Sequence, residues 1–170
     1  RSQLAQAVAA LANGGAMYRP HLVAHVDHLR SGDRRYIEPQ LISQISLKPE
    51  NVEFVKNAMA GVNKEGTGAR AFAGAQYSSG GKTGTAQVIG MKQNEKYDER
   101  KIAERHRDHS LFIAFAPLDN PKIALMTIVE NGGFGARAAA PIARAVLDYW
   151  LLGKIPPARK SADEDDAGED

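Results

Sequence analysis

Gly80-Gly81-Lys82-Thr83-Gly84-Thr85-Ala86, running on into Gln87-Val88-Ile89, sets a lysine, two hydroxyls and a glycine at the start of an apolar strand. Side chains alternate across an extended backbone, so Thr83 and Thr85 share one face. Gly84 leaves room for a ligand's own main chain to lie alongside, and Lys82 adds a cation. The pattern suits a carboxylate-bearing peptide laid along a sheet edge: main-chain groups supply affinity, and the lysine and hydroxyls hold the charged end.

Two other readings compete for the same residues. Gly81-Lys82-Thr83 matches the end of the phosphate-binding motif G-x-x-x-x-G-K-[ST], but the first glycine would have to stand at position 76, which is Gln76. Gly84-Thr85-Ala86-Gln87-Val88 also reads as strand, whereas a phosphate loop opens a helix. The plainer alternative, a turn before a strand, remains open on composition alone.

Outward from this stretch, Leu4, Val8 and Leu11 fall at helical spacing and Asn13-Gly14 supplies a stop. His21 to His28 alternates as a half-buried strand does, and Ser31-Gly32-Asp33 offers a hairpin turn back to Tyr36-Ile37. Pro49 opens a helix with Val52, Val55, Met59 and Val62 along one face, ending near Asn63 to Gly66. Leu111 to Phe115 and Ile123 to Val129 are near-continuous apolar runs joined by Pro117-Leu118-Asp119-Asn120-Pro121. That pattern predicts antiparallel strands covered on both faces. Ile142, Val146, Tyr149 and Trp150 line one face of a closing helix, with Pro141 expected in its first turn. The fold class is therefore α+β, an antiparallel sheet flanked by helices.

At 170 residues, 43% hydrophobic and 25% charged, the composition fits one globular core rather than a fibre or a disordered chain. No apolar run approaches a membrane helix and no signal peptide opens the chain. Arg1 leads directly into the helical pattern and reads as a boundary rather than a natural start. Absence of cysteine excludes disulfides and thiolate ligands without fixing the compartment. The net charge of +2 is uneven, since the last ten residues carry six acidic groups and no basic one, leaving +8 on the first 160. Residues 155–170 are expected to be a disordered acidic tail beyond a domain spanning 1–154, with order ending at Pro156-Pro157. A basic body favours anionic partners. Yet the densest charge stretch, Lys92 to Asp108, mixes both signs without an aromatic platform, which argues against nucleic-acid binding.

Five histidines raise a metal site, but His21-Leu22-Val23-Ala24-His25 lacks the glutamate of H-E-x-x-H and no cysteine or carboxylate completes a ligand set. No metal or organic cofactor is expected. His106 and His109, flanking Asp108, suit ordering a loop better than catalysis. Gly66-Thr67-Gly68 and Gly132-Gly133 read equally as punctuation or as function, and a place near the K-T-G edge would favour function.

K-T-G at a strand start resembles the third motif of penicillin-binding proteins and serine β-lactamases, where S-x-x-K and S-x-N come first. Gly66-Thr67-Gly68, Lys82 to Gln87, Ala103-Glu104-Arg105-His106-Arg107-Asp108-His109, Ala114-Phe115-Ala116-Pro117 and Val129-Glu130-Asn131-Gly132-Gly133 together resemble the C-terminal half of a class B penicillin-binding protein. The likeness is to the elongation-specific group of Gram-negative bacteria, and it runs from about Leu4 to about Leu152. It implies a partial penicillin-binding protein transpeptidase fold and acyl transfer through a serine ester on peptidoglycan stem peptides ending in D-Ala-D-Ala, with β-lactams as mimics. Carried over residue by residue, Lys82, Thr83, Gly84 and Thr85 bind substrate. Lys82 sets the electrostatics, and the Thr85 backbone N–H forms half of an oxyanion hole. The resemblance also implies the periplasmic face of the inner membrane and an elongation complex with a SEDS-family glycosyltransferase.

One departure matters. The sole literal S-x-x-K, Ser79-Gly80-Gly81-Lys82, carries two glycines that disfavour a helix, and its lysine already belongs to K-T-G. S-x-N is absent, so the serine, the general-base lysine and the second motif are expected in an upstream half of the same protein. A non-catalytic peptide-binding or scaffolding module with the same edge is the alternative of a different class. A β-lactamase or penicillin sensor fits residues 86–117 less well.

Overall fold

The computed structural model describes residues 2–90 and 102–155. Helix α1 (Ser2–Ala12) leads to strand β1 (Ala16–Tyr18), a hairpin of β2 (His25–Asp27) and β3 (Arg34–Tyr36), and β4 (Leu41–Gln44), which pairs back on β1. Helix α2 (Pro49–Lys64) and the short α3 (Ala69–Phe72) precede strand β5 (Gly80–Ala86). Strands β6 (His109–Ala116) and β7 (Ile123–Val129) come next, and α4 (Gly135–Leu152) closes the described chain. The main sheet has the order β5-β6-β7, antiparallel throughout, so among the described residues the K-T-G strand lies at an edge.

Why helices cover this sheet on both sides is explained by β6. Phe112, Ala114 and Ala116 point to one face and pack with Phe72, Ala139, Ala140, Ala143 and Leu147 of α3 and α4. Phe115 points to the other, against Val8 of α1 and Met59 of α2. The apolar run thus serves two cores, as a strand buried on both faces must. Pro at the first position of α2 costs no hydrogen bond there, and Gly153 in the left-handed region ends α4.

Several sequence expectations are corrected. The strand foreseen from His21 to His28 is three residues long, and β2 and β3 are exposed throughout rather than half-buried. Its alternation finds no partner face, and only the hairpin turn at Gly32 stands as read. The K-T-G strand ends at Ala86, leaving Val88 and Ile89 outside it. Along α4 the polarity of burial is reversed, since Tyr149 is 58% and Trp150 63% exposed while Ala139, Ala140, Ala143 and Leu147 are wholly buried. Small side chains let the helix axis approach the sheet, which bulky ones at the same positions would prevent. Pro141 also lies beyond the first turn, because α4 starts earlier, at Gly135. The pairing of β1 with β4 was not foreseen. The proposed tail and most of the mixed-charge stretch fall outside the described residues.

Candidate active-site edge

Strand β5 begins with two glycines for a steric reason. A Cβ at Gly80 would lie 2.6 Å from the Phe115 ring, and one at Gly81 would lie 2.6 Å from the Phe112 ring. These glycines let the two largest core side chains of β6 close over the strand, fixing the start of the motif. Register then pairs Lys82 with Ile113, Thr83 with Phe112, Gly84 with Leu111 and Thr85 with Ser110. Lys82 and Gly84 share the face of α1 and α2, whereas Thr83 and Thr85 share the face of α4.

Lys82 is exposed, and its Nζ donates to the Thr83 carbonyl at 2.7 Å. Thr85 is exposed and Thr83 half-buried. A Cβ at Gly84 would meet only Leu111 Cβ at 3.4 Å, so its side of the strand stays open. The structure therefore brings all four predicted residues to one solvent-facing edge, with cation and hydroxyls on opposite faces of it. Ser79, the serine of the coincidental S-x-x-K, is buried and accepts a hydrogen bond from Asn63 Nδ2 at 2.9 Å.

The G-T-G segment lies beside this edge, a placement that favours a functional reading of it. Thr67 Oγ1 and Thr83 Oγ1 are 3.0 Å apart, a hydroxyl–hydroxyl hydrogen bond. The flanking glycines are needed because a Cβ at Gly66 would stand 2.8 Å from Val62 Cα, and one at Gly68 2.7 Å from Asn63 Oδ1. The same Asn63 oxygen stands 2.7 Å from a Cβ position at Gly81, so one buried amide is wedged between both glycine motifs. Beyond Thr67 a cleft of about 640 Å³ opens between α3 and α4, lined by Thr67, Arg70, Phe134, Ala136, Arg137 and Pro141. Arg70, Arg137 and the amino end of α4 border this side of the edge.

Polar contacts far apart in sequence hold these walls. Arg144 of α4 donates from Nε to both oxygens of Asp148 and from Nη1 to the carbonyls of Ala71 and Ala73, pinning the end of α3. Tyr77 donates to Asp148 at 2.8 Å. Burial and the Asp148 carboxylate push the Tyr77 phenol well above its usual range. Burial also opposes ionisation of Asp148, but hydrogen bonds from Arg144 and Tyr77 and the charges of Arg144 and Lys154 outweigh it and hold its carboxyl below the usual range. On β6, Ser110 donates to the Phe134 carbonyl and accepts from the Ala139 N–H, fixing the first turns of α4.

At the far end of the sheet, the Asn131 N–H donates to His109 Nδ1 and its side chain to the Arg107 carbonyl. His109 thus joins the end of β7 to the start of β6, while His106 accepts from Arg105 Nε. Within 131–135, Phe134 lines the cleft and Gly135 abuts the motif strand. Asn63, Ser110 and Arg144 carried no sequence signal, because each acts on a segment distant along the chain.

An antiparallel edge strand carrying K-T-G, backed by helices on both faces, defines a penicillin-binding type of transpeptidase domain. The model of the penicillin binding protein transpeptidase domain matches residues 1–148, and the chain belongs to that family. Among curated relatives, the peptidoglycan D,D-transpeptidase MrdA of Haemophilus influenzae is 40% identical over 161 residues, 93% of this chain and 24% of the relative. That of Escherichia coli K12 is 39% identical over 154 residues, 89% and 24% respectively. A crystal structure of Pseudomonas aeruginosa PBP2 in complex with WCK 5153 aligns with a TM-score of 0.67 and 37% identity, covering 91% of this chain and 31% of that one. Penicillin-binding protein A from M. tuberculosis, an imipenem acyl-enzyme complex, aligns at 0.66 and 29%, covering 86% and 29%. The chain thus spans about a quarter of the length of the curated relatives it matches.

Proposed function

We propose that this chain is the substrate-holding edge of a peptidoglycan D,D-transpeptidase whose nucleophile lies in an upstream half of the same protein. The observation that carries the reading is the placement of Lys82, Thr83, Gly84 and Thr85 on one accessible edge strand, where a Cβ at Gly84 would meet only Leu111 among the described residues. A stem peptide ending in D-Ala-D-Ala lies along β5, the threonine hydroxyls holding its terminal carboxylate from one face of the strand while the Lys82 ammonium supplies positive charge from the other. The serine oxygen attacks the penultimate carbonyl, and negative charge gathers on the carbonyl oxygen, where the Thr85 N–H stabilises it. The terminal D-Ala leaves as its amine, taking a proton. An amine of a neighbouring stem then attacks the ester, forming the cross-link and releasing the serine. β-Lactams acylate the same serine, their carboxylate occupying the place of the terminal one.

The MrdA relatives support placing this reaction on the periplasmic face of the inner membrane. There the enzyme works in an elongation complex with a SEDS-family glycosyltransferase. Labelling by a fluorescent penicillin, read by denaturing electrophoresis, tests the reading on this chain alone and mixed with the upstream half of its parent. Label on the upstream half only in the mixture is the expected result. No label in either case, with both pieces folded and associated, would favour a non-catalytic binding module.

A further inference from the structure

The G-T-G segment takes no part in the acyl transfer proposed for this edge, yet it carries a hydroxyl 3.0 Å from the motif hydroxyl Thr83. We propose that Thr67 is a positioning residue that aims the Thr83 proton at the substrate's carboxylate. This rests on the reading of β5 as the substrate-binding edge.

A threonine hydroxyl has one proton to donate and room to accept two hydrogen bonds. If Thr83 gives its proton to Thr67, none is left for a ligand. When Thr67 gives its own to Thr83, the Thr83 proton is freed and becomes the stronger donor, because hydrogen bonds in a chain polarise one another. A carboxylate arriving at the edge accepts protons only, so it selects the second arrangement: Thr67 to Thr83 to carboxylate.

Such a relay needs Thr67 to be held, and its surroundings hold it. The Gly66 N–H donates to the Gly61 carbonyl at 2.9 Å, and the Gly68 N–H to the Val62 carbonyl at 2.9 Å, so the end of α2 fixes both neighbours. Neither glycine accepts a Cβ without a clash below 3.0 Å. From the other side, Arg144 clamps the Ala71 and Ala73 carbonyls just beyond. Thr67 itself also lines the cleft that opens beside the strand, so the relay stands at the wall of the space open to ligand.

The experiment compares acylation rates of a penicillin and of its carboxyl methyl ester in the complete protein, for wild type, Thr67→Val and Thr67→Ser. Valine keeps the shape and removes the proton. The expected result is that Thr67→Val narrows the acid-to-ester rate ratio about tenfold, the scale of one hydrogen bond to a charged group, with an unchanged melting temperature. Thr67→Ser restores the ratio. Equal losses with acid and ester, no loss with either, or no rescue by serine would each overturn the proposal. If wild type is acylated by neither probe, the reading of β5 fails first and this inference falls with it.

Discussion

Gly135, the first residue of α4, abuts the main chain of Gly84: a Cβ at 135 would stand 2.5 Å from the Gly84 carbonyl oxygen and 2.7 Å from that of Leu111. The long helix therefore starts against the K-T-G strand itself, and the packing of α4 sets where the motif lies.

Gly135→Ala forces backbone apart rather than a flexible side chain. It is expected to cost about 1–3 kcal/mol in urea unfolding, as overpacked sites do, and to lower penicillin labelling of the complete protein. An unchanged unfolding midpoint would contradict the contact.

Gly84→Ala separates binding from folding. Its Cβ meets only Leu111 Cβ at 3.4 Å, so stability should stay within about 1 kcal/mol of wild type. The added methyl projects into the place assigned to the ligand's main chain, so labelling is expected to fall at least tenfold. Full labelling would remove the assigned role.

Lys82→Met keeps most of the apolar stem of the side chain and deletes its ammonium. Because Lys82 is exposed and its ammonium contacts only the neighbouring Thr83 carbonyl in the described residues, the melting temperature is expected to hold. Acylation is expected to drop about a hundredfold or more, the usual scale for a charge that stabilises the transition state. Stopped-flow kinetics with a reporter β-lactam reads it directly.

The Tyr77–Asp148–Arg144 cluster predicts a stability profile with two flanks. Asp148 titrates below its ordinary value in the folded protein, so its contribution is whole above about pH 3.9 and is lost as pH falls from there through its folded pKa. Tyr77 titrates above its ordinary value, so its contribution is whole below about pH 10 and is lost as pH rises beyond. Unfolding midpoints across pH should show Asp148→Asn flattening the acid flank and Tyr77→Phe the alkaline one. Each variant is expected to cost about 1–2 kcal/mol at neutral pH.

The two faces of α4 give opposite expectations. Leu147 is wholly buried against the sheet, so Leu147→Ala should cost about 2–5 kcal/mol. Tyr149 is 58% exposed, and Tyr149→Ala in this chain should cost well under half as much. Equal costs in urea unfolding would mean that the burial of this helix is misassigned.

The K-T-G stretch and the apolar runs at 111–115 and 123–129 determined the strands of the main sheet, and the helical patterns at 4–11, 49–66 and 142–150 completed the α+β class. Alternation and two-sided burial are local patterns, and Lys82, Thr83 and Thr85 stand out by type and spacing, their proposed roles coming through the family resemblance. Periodicity alone misjudged α4, because hydrophobicity says which residues are apolar and not which face a sheet accepts. At a close approach the alanines win and Tyr149 and Trp150 turn outward. Tertiary structure alone placed Thr67 on Thr83, Gly135 on Gly84 and Asn63 between two glycine motifs. Thr67 and Thr83 lie 16 positions apart and Gly84 and Gly135 51, and such proximity is decided by how helices settle on a sheet, which no local pattern records.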